Sequence, residues 1–196
     1  MSSKGTIFII DGGHQFGMSK GGLNHFITNF AKEHLESLGW NVITTEIEKG
    51  YEAASEIEKF KASSVVILQT PGWWMGLPWQ VKKYFDEVLL EGVDIVFKND
   101  GRTRKDPKKL YGSGGLSQGK KFMVSSTWNA PEQAFTEEGQ FYALLGKKNH
   151  WHTVEQIFKF CGYDILEGQY FYDVHKNPHV EQELEQYKQL LTNYFK

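Results

Sequence analysis

Two hydrophobic periodicities alternate along the chain. Thr6-Ile7-Phe8-Ile9-Ile10 is continuously apolar and stops at Asp11-Gly12-Gly13, the pattern of a strand buried on both faces beneath helices. Leu23, Phe26, Ile27, Phe30, Leu35 and Leu38 then recur at helical spacing, with Gly39 placed to end the helix. Residues 42–45 predict a second strand, 53–61 a short helix carrying Ile57 and Phe60, and 65–68 a third strand, apolar throughout. Residues 71–78 read as a loop, and Val81, Tyr84, Phe85, Val88 and Leu89 as the next helix, whose first turn can hold Pro78. Residues 93–119 are long, irregular and rich in Gly and basic residues, and such a loop inside a compact domain is usually functional or an interface. Residues 121–126 predict a fourth strand, followed by a loop over 127–149 with a short helix near 140–145. Val154, Ile157, Phe158 and Cys161 share a helical face closed by Gly162. Residues 165–172 predict a fifth strand, and Val180, Leu184, Tyr187, Leu191 and Tyr194 stripe a C-terminal helix.

Strands that alternate with helices imply a parallel sheet, because parallel neighbours need crossover connections. Right-handed crossovers leave few topologies. The reading is a single α/β domain over residues 1–196. It is a doubly wound five-stranded parallel sheet in the flavodoxin-like order 2-1-3-4-5, with helices on both faces. A Rossmann order would suit a dinucleotide fingerprint, and none is present.

Composition narrows the classes further. Net charge is −2, from 22 basic and 24 acidic residues, so no global basic field draws the chain onto nucleic acid. With a single cysteine, Cys161, no intrachain disulfide forms. Residues 1–5 lack the apolar stretch and small-residue cleavage site of a leader, and no apolar run is long enough to span a bilayer. A cytoplasmic protein with no membrane insertion is expected. Aromatic residues reach 15%, enough to fill a core and also to build a stacking surface for a flat ligand.

In a doubly wound sheet, ligands bind beyond the carboxyl ends of the strands at the switch point. The three loops expected there are the most unusual in the chain. The first, residues 11–22, runs from a strand into a helix, whose N-terminal amides and dipole suit phosphate. Ser19 can cap that helix or donate to phosphate, and Gly21 and Gly22 allow close backbone approach. Ser19-Lys20 reverses the order of a P-loop, which disfavours ATP. The second loop, Pro71-Gly72-Trp73-Trp74-Met75-Gly76-Leu77-Pro78, either sets an indole beside a planar ring or is a tight turn anchored by Trp in the core. The third begins Thr127-Trp128-Asn129-Ala130-Pro131 and offers hydrogen-bonding groups for a flavin edge, or an Asx-turn.

Other features read blandly. His150 and His152 flank Trp151 at a helix start where their rings diverge, so no metal site is expected. His14 lies in the first loop, and most of the remaining histidines read as surface residues. Cys161 reads as a buried small hydrophobe. The basic run Arg102, Arg104, Lys105, Lys108 and Lys109 is interrupted by Asp106 and reads as an interface or cofactor contact.

At these residues the chain resembles the modulator of drug activity B family of NAD(P)H:quinone reductases. The likeness rests on Ser19-Lys20-Gly21-Gly22-Leu23-Asn24, Pro71-Gly72-Trp73-Trp74-Met75-Gly76, Asp100-Gly101-Arg102-Thr103-Arg104-Lys105-Asp106-Pro107, Tyr111-Gly112-Ser113-Gly114-Gly115 and Thr127-Trp128-Asn129-Ala130-Pro131. These stretches occur in the family's order across nearly the whole chain. The resemblance implies a homodimer holding FAD, with FMN less favoured, that uses NADPH or NADH to reduce quinones by two electrons in ping-pong order. It implies that Ser19, Gly21, Leu23 and Asn24 hold the pyrophosphate, that Pro71 to Met75 face the isoalloxazine, and that Thr127, Trp128, Asn129 and Ala130 meet its edge. Tyr111 would contact the cofactor from the partner subunit and is the candidate proton donor. The family can carry a His just before the serine; here that position is Met18. The competing readings are an FMN-binding electron carrier of the flavodoxin type, which a nearly neutral chain suits poorly, and a non-flavin interaction module using the Trp-rich loop.

Overall fold

The computed structural model describes residues 4–142 and 150–196. The first apolar run forms β1 (Thr6–Asp11). The loop after it holds a small antiparallel hairpin, β2 (Gln15–Phe16) and β3 (Ser19–Lys20), before α1 (Gly22–Ser37). β4 (Asn41–Glu46) leads through a 3-10 turn, Ile47–Lys49, to α2 (Ala53–Ala62). β5 (Val65–Pro71), α3 (Trp79–Leu90) and β6 (Lys121–Thr127) follow. The remaining described elements are α4 (Gln133–Thr136), α5 (His152–Cys161), β7 (Asp164–Ile165), β8 (Gln169–Phe171) and α6 (Val180–Phe195).

The main sheet runs β4-β1-β5-β6-β7, with β8 also on β6, and every pairing in it is parallel. The first four strands take the expected 2-1-3-4 order. The fifth does not form as one strand, so among the described residues the sheet has six strands where five are expected. β7 pairs with Lys121 and Phe122, and β8 with Ser125, Ser126 and Thr127. Between them Gly168 presses on the β6 backbone: a Cβ there would lie 1.7 Å from the Val124 carbonyl oxygen. A glycine inside a strand pattern marks this kind of close approach, and the chain leaves the ladder and rejoins it.

Alternating side chains divide the core into two layers. Phe8, Ile10, Val66, Leu68 and Phe122 pack against α2, α3 and α5, where the Phe122 and Phe158 rings stack with centroids 3.5 Å apart. Ile7, Ile9, Val65, Ile67 and Met123 pack against α1 and α6. Every residue of β5 is buried, and each large apolar side chain so covered contributes about 1.5–3 kcal/mol. Sequence spacing places Phe26 on the apolar stripe of α1, yet it is half exposed.

Other boundaries also shift. β5 extends to Pro71, which pairs with Thr127, so Pro71 is strand rather than loop. Pro78 is the N-cap of α3 and not part of its first turn. The short helix expected near 140–145 falls partly outside the described residues. Among the described residues, no helix is long and apolar enough to cross a membrane.

Candidate functional site

The carboxyl ends of β1, β5 and β6 open onto one groove. Its inner part, about 420 Å³, is lined by Ser19, Lys20, Gly21, Gly22, Leu23 and Asn24 on one side. Pro71, Gly72 and Trp73 face them, with Thr127, Asn129, Val174 and His175 closing the end. A wider outer part, about 870 Å³, adds Phe16 and Trp74. Met18, Ser19, Gly72, Trp73, Asn129 and His175 line both parts, so the space is continuous. All three loops singled out in the sequence therefore meet.

The first loop is built to present backbone. Gly21, at φ 72, is the N-cap of α1 and makes no side-chain cap hydrogen bond, so Ser19 is not the helix cap. Ser19 Oγ instead donates to the His14 carbonyl at 3.2 Å. The opening amides of a helix have no intrahelical acceptor, and those of Gly22 and Leu23 stand at the groove wall. Asn24 is buried, and its side chain is engaged: it accepts from Gln69 Nε2 at 2.8 Å and donates to Thr127 Oγ1 at 3.2 Å. It thereby ties α1 to β5 and β6, a bracing role that motif matching does not distinguish from ligand binding.

Beneath this loop lies a charged cluster absent from the sequence reading. Buried Asp11 accepts the Gly13 N–H on Oδ1 at 2.8 Å and faces His25 Nδ1 with Oδ2 at 2.8 Å. His25 Nε2 lies 3.0 Å from Glu48 Oε1. Burial lifts the Asp11 carboxyl above its ordinary value, with the His25 hydrogen bond and the Gly13 N–H pulling the other way. Partial burial opposes charge on His25, but the Asp11 hydrogen bond and charge, followed by those of Glu48, raise its pKa above the usual histidine value. His25 is thus no simple surface residue. The clue available in the sequence is that His25 falls four residues after Gly21 on α1, the turn that faces the loop.

The second loop makes a tight turn. Trp73 and Gly76 exchange both backbone hydrogen bonds, at 2.9 and 3.0 Å. Its central residues, Trp74 and Met75, have φ of 45° and 65°, the sign that primed turns require at both positions. Non-glycine residues held there cost of order 1–3 kcal/mol each, and such strain concentrates at ligand sites. Neither tryptophan anchors a core: Trp73 lines the groove beside Phe16, ring centroids 5.5 Å apart, and Trp74 is 95% exposed. Trp74, Met18 and Met75 form an exposed apolar rim, of the sort that marks a ligand or partner surface.

The third loop divides. Thr127 ends β6 and Asn129 lines the groove, but Trp128 is buried below it. The indole N–H groups of Trp128 and Trp151 both donate to Ser126 Oγ, at 2.9 and 3.1 Å. Ala130 is half-buried against the core. His150 sits edge-on to Trp128, Phe135 and Tyr142. Burial lowers its pKa, opposed by the backbone of Met75.

Tyr111 is not brought to the groove within one chain. It is 65% exposed, beside Phe160 with Arg102 over its ring, near an apolar cleft walled by Phe85, Leu89, Leu90 and Phe97. Cys161 is buried there, its thiol pushed up to about 12 by burial. Val174 and His175 also line the groove, and nothing in their local sequence distinguishes them from an ordinary turn. Among the described residues, no set of three or more His, Cys, Asp or Glu side chains is disposed to hold a metal ion.

A family model described as the flavodoxin-like fold matches residues 6–194. The chain is 46% identical over 190 residues to the NADPH:quinone oxidoreductase MdaB of Haemophilus influenzae, covering 97% of this chain and 99% of that one. A solved NAD(P)H:quinone oxidoreductase from Methanothermobacter marburgensis superposes with a TM-score of 0.67 at 13% identity, covering 98% of this chain and 100% of the other. General stress protein 14 from Treponema denticola, solved in complex with FMN, gives 0.64 at 17% identity, with 97% of each chain covered. At such identities the two structures speak to fold alone.

Proposed function

The chain belongs to the flavodoxin-like fold family and, within it, to the modulator of drug activity B quinone oxidoreductases, and from that premise we propose that it reduces quinones with NADPH or NADH through FAD bound in the three-loop groove. The observation that carries this reading is the convergence of Ser19–Asn24, Pro71–Trp73 and Thr127–Asn129 on one continuous space. Helix amides lie at one end of it and an indole at the other.

The donor set fits the cofactor. The Gly22 and Leu23 amides suit a diphosphate, and backbone donors serve where Met18 offers no polar side chain; the Ser19 hydroxyl would join them only by turning from the His14 carbonyl. Trp73 supplies a flat apolar wall. Asn129, through its side-chain amide, and the carbonyl of Gly72 are the groups placed to meet the ring edge, since the Gly72 and Trp73 N–H groups are already given to Thr127 and Gly76. The flavin, when bound, would take a hydride from the nicotinamide and pass two electrons to the quinone. The residues hold the rings, keep Trp73 against the apolar face, and leave the outer cavity, with Trp74 at its edge, as one station for donor and acceptor in turn. A shared station gives ping-pong kinetics.

Residues 1–196 act as one cytoplasmic flavin-binding domain in this reading. A second copy covers the exposed face of Leu90, Leu110, Tyr111 and Leu116 and brings its Tyr111 to the groove as proton donor to the quinol.

The test is the absorbance spectrum of the purified protein, with mass analysis of the released chromophore, followed by NADPH oxidation with menadione. A flavin spectrum, FAD mass and parallel double-reciprocal lines are expected. A colourless protein that ignores added flavin sinks the reading. FMN bound with negligible turnover would make the chain an electron carrier instead.

A further inference from the structure

The cluster under the first loop has a role beyond filling space. We propose that His25 is a positioning residue for the flavin: clamped as an imidazolium between Asp11 and Glu48, it holds the β2–β3 hairpin and the Gly21 turn in the shape that presents the α1 amides to the cofactor's phosphates. The inference rests on the flavin reading above.

Both ring nitrogens of His25 face carboxylate oxygens, at 2.8 and 3.0 Å. Ionised carboxylates only accept, so both contacts are made together when both nitrogens carry hydrogen. The imidazole also supports the loop backbone from below at two points. A Cβ at Gly13 would fall 2.9 Å from His25 Cε1, and one at Gly21 would fall 2.8 Å from His25 Nε2. Glu48 extends the clamp outward: its Oε2 accepts the Gln15 N–H at 3.0 Å, tying down β2. Every arm therefore ends on backbone of the phosphate loop.

The charges around His25 come from three elements. Asp11 is on β1, Glu48 on the 3-10 turn, and His14, with Nδ1 3.9 Å from Glu48, on the loop. Lys49 is turned away to Glu46 at 2.8 Å. With His25 charged, Asp11, His25 and Glu48 together carry one negative charge; with it neutral they carry two. Loss of the proton thus breaks one arm of the clamp and adds negative charge beside a site for phosphate. Both effects weaken anion binding.

The experiment is FAD binding to the apoprotein, read by flavin fluorescence between pH 6 and pH 9, for the wild type, His25→Gln and Glu48→Gln. Glu48→Gln keeps a carbonyl for Gln15 and decides the matter if His25→Gln does not fold by circular dichroism. Wild-type affinity should fall about tenfold across the range. His25→Gln should bind about tenfold more weakly at pH 6 and show no pH slope, and Glu48→Gln should flatten the slope. Flat wild-type affinity, or a folded variant that keeps both the wild-type affinity and its slope, overturns the proposal alone. A wild type that binds no flavin at any pH overturns the flavin reading and this proposal with it.

Discussion

Gly72 lies flat against the indole of Trp128: a Cβ built on Gly72 would fall 2.3 Å from the ring carbon Cζ3. The ring cannot retreat freely, because its N–H is held by Ser126 and its edge by Phe135 and Tyr142. A glycine at this point lets β5 turn into the second loop directly over the third.

Gly72→Ala should therefore lower stability by about 1–3 kcal/mol through overpacking and displace the second loop from the groove. Thermal unfolding and flavin uptake check both parts. Native stability with full flavin occupancy would mean that the indole has room to shift.

The tandem tryptophans should separate by role. Trp73 faces the groove and Trp74 faces solvent. Trp73→Ala should weaken flavin binding about tenfold, as expected for loss of an aromatic contact with its buried area, and remove most quenching of protein fluorescence by flavin. Trp74→Ala should leave affinity nearly unchanged and raise KM for the substrate at the outer cavity. Equal effects on affinity would contradict this division.

The His25 clamp also predicts a pH dependence of folding without cofactor. Its pKa is raised in the folded chain, first against burial, by the Asp11 hydrogen bond and then by Glu48. The stabilisation is thus fully present below the unfolded histidine value of about 6.5 and is lost as pH rises through the folded value. The apoprotein's Tm should fall as pH increases from about 6.5 into the alkaline range. In His25→Gln that component of the slope should vanish; an unchanged slope in the variant would assign it to other groups.

The exposed apolar face gives a separate test. Leu110→Glu should shift sedimentation from dimer to monomer and reduce quinone turnover through loss of the partner's Tyr111, while flavin retention through the groove of each chain persists. A monomeric wild type would remove the dimer from the account, and with it a role for Tyr111 at the groove.

The strand–helix alternation was legible because burial on both faces demands it: residues 7–10, 65–68 and 122–124 are continuously apolar, and α1, α5 and α6 carry single stripes. The break in the fifth strand was not, since Gly168 is decided by the backbone of Val124, distant in sequence. The groove was legible as three loops, because Gly, Pro and Trp are conspicuous outside a core. Which member of each loop lines the groove was not: Trp128 and Trp73 are the same residue type with opposite fates, one held under Gly72 and one lining the cavity.

What the chain alone determined is the set of elements and the loops that end them, since periodicity and backbone preference are local properties. Tertiary structure decided the partners of His25. Asp11, Glu48 and the histidine lie on three separate elements, and a charge gains its meaning only from groups that folding brings within a few ångströms. The same holds for Asn24, whose amide is turned from a free donor into a brace by Gln69 and Thr127.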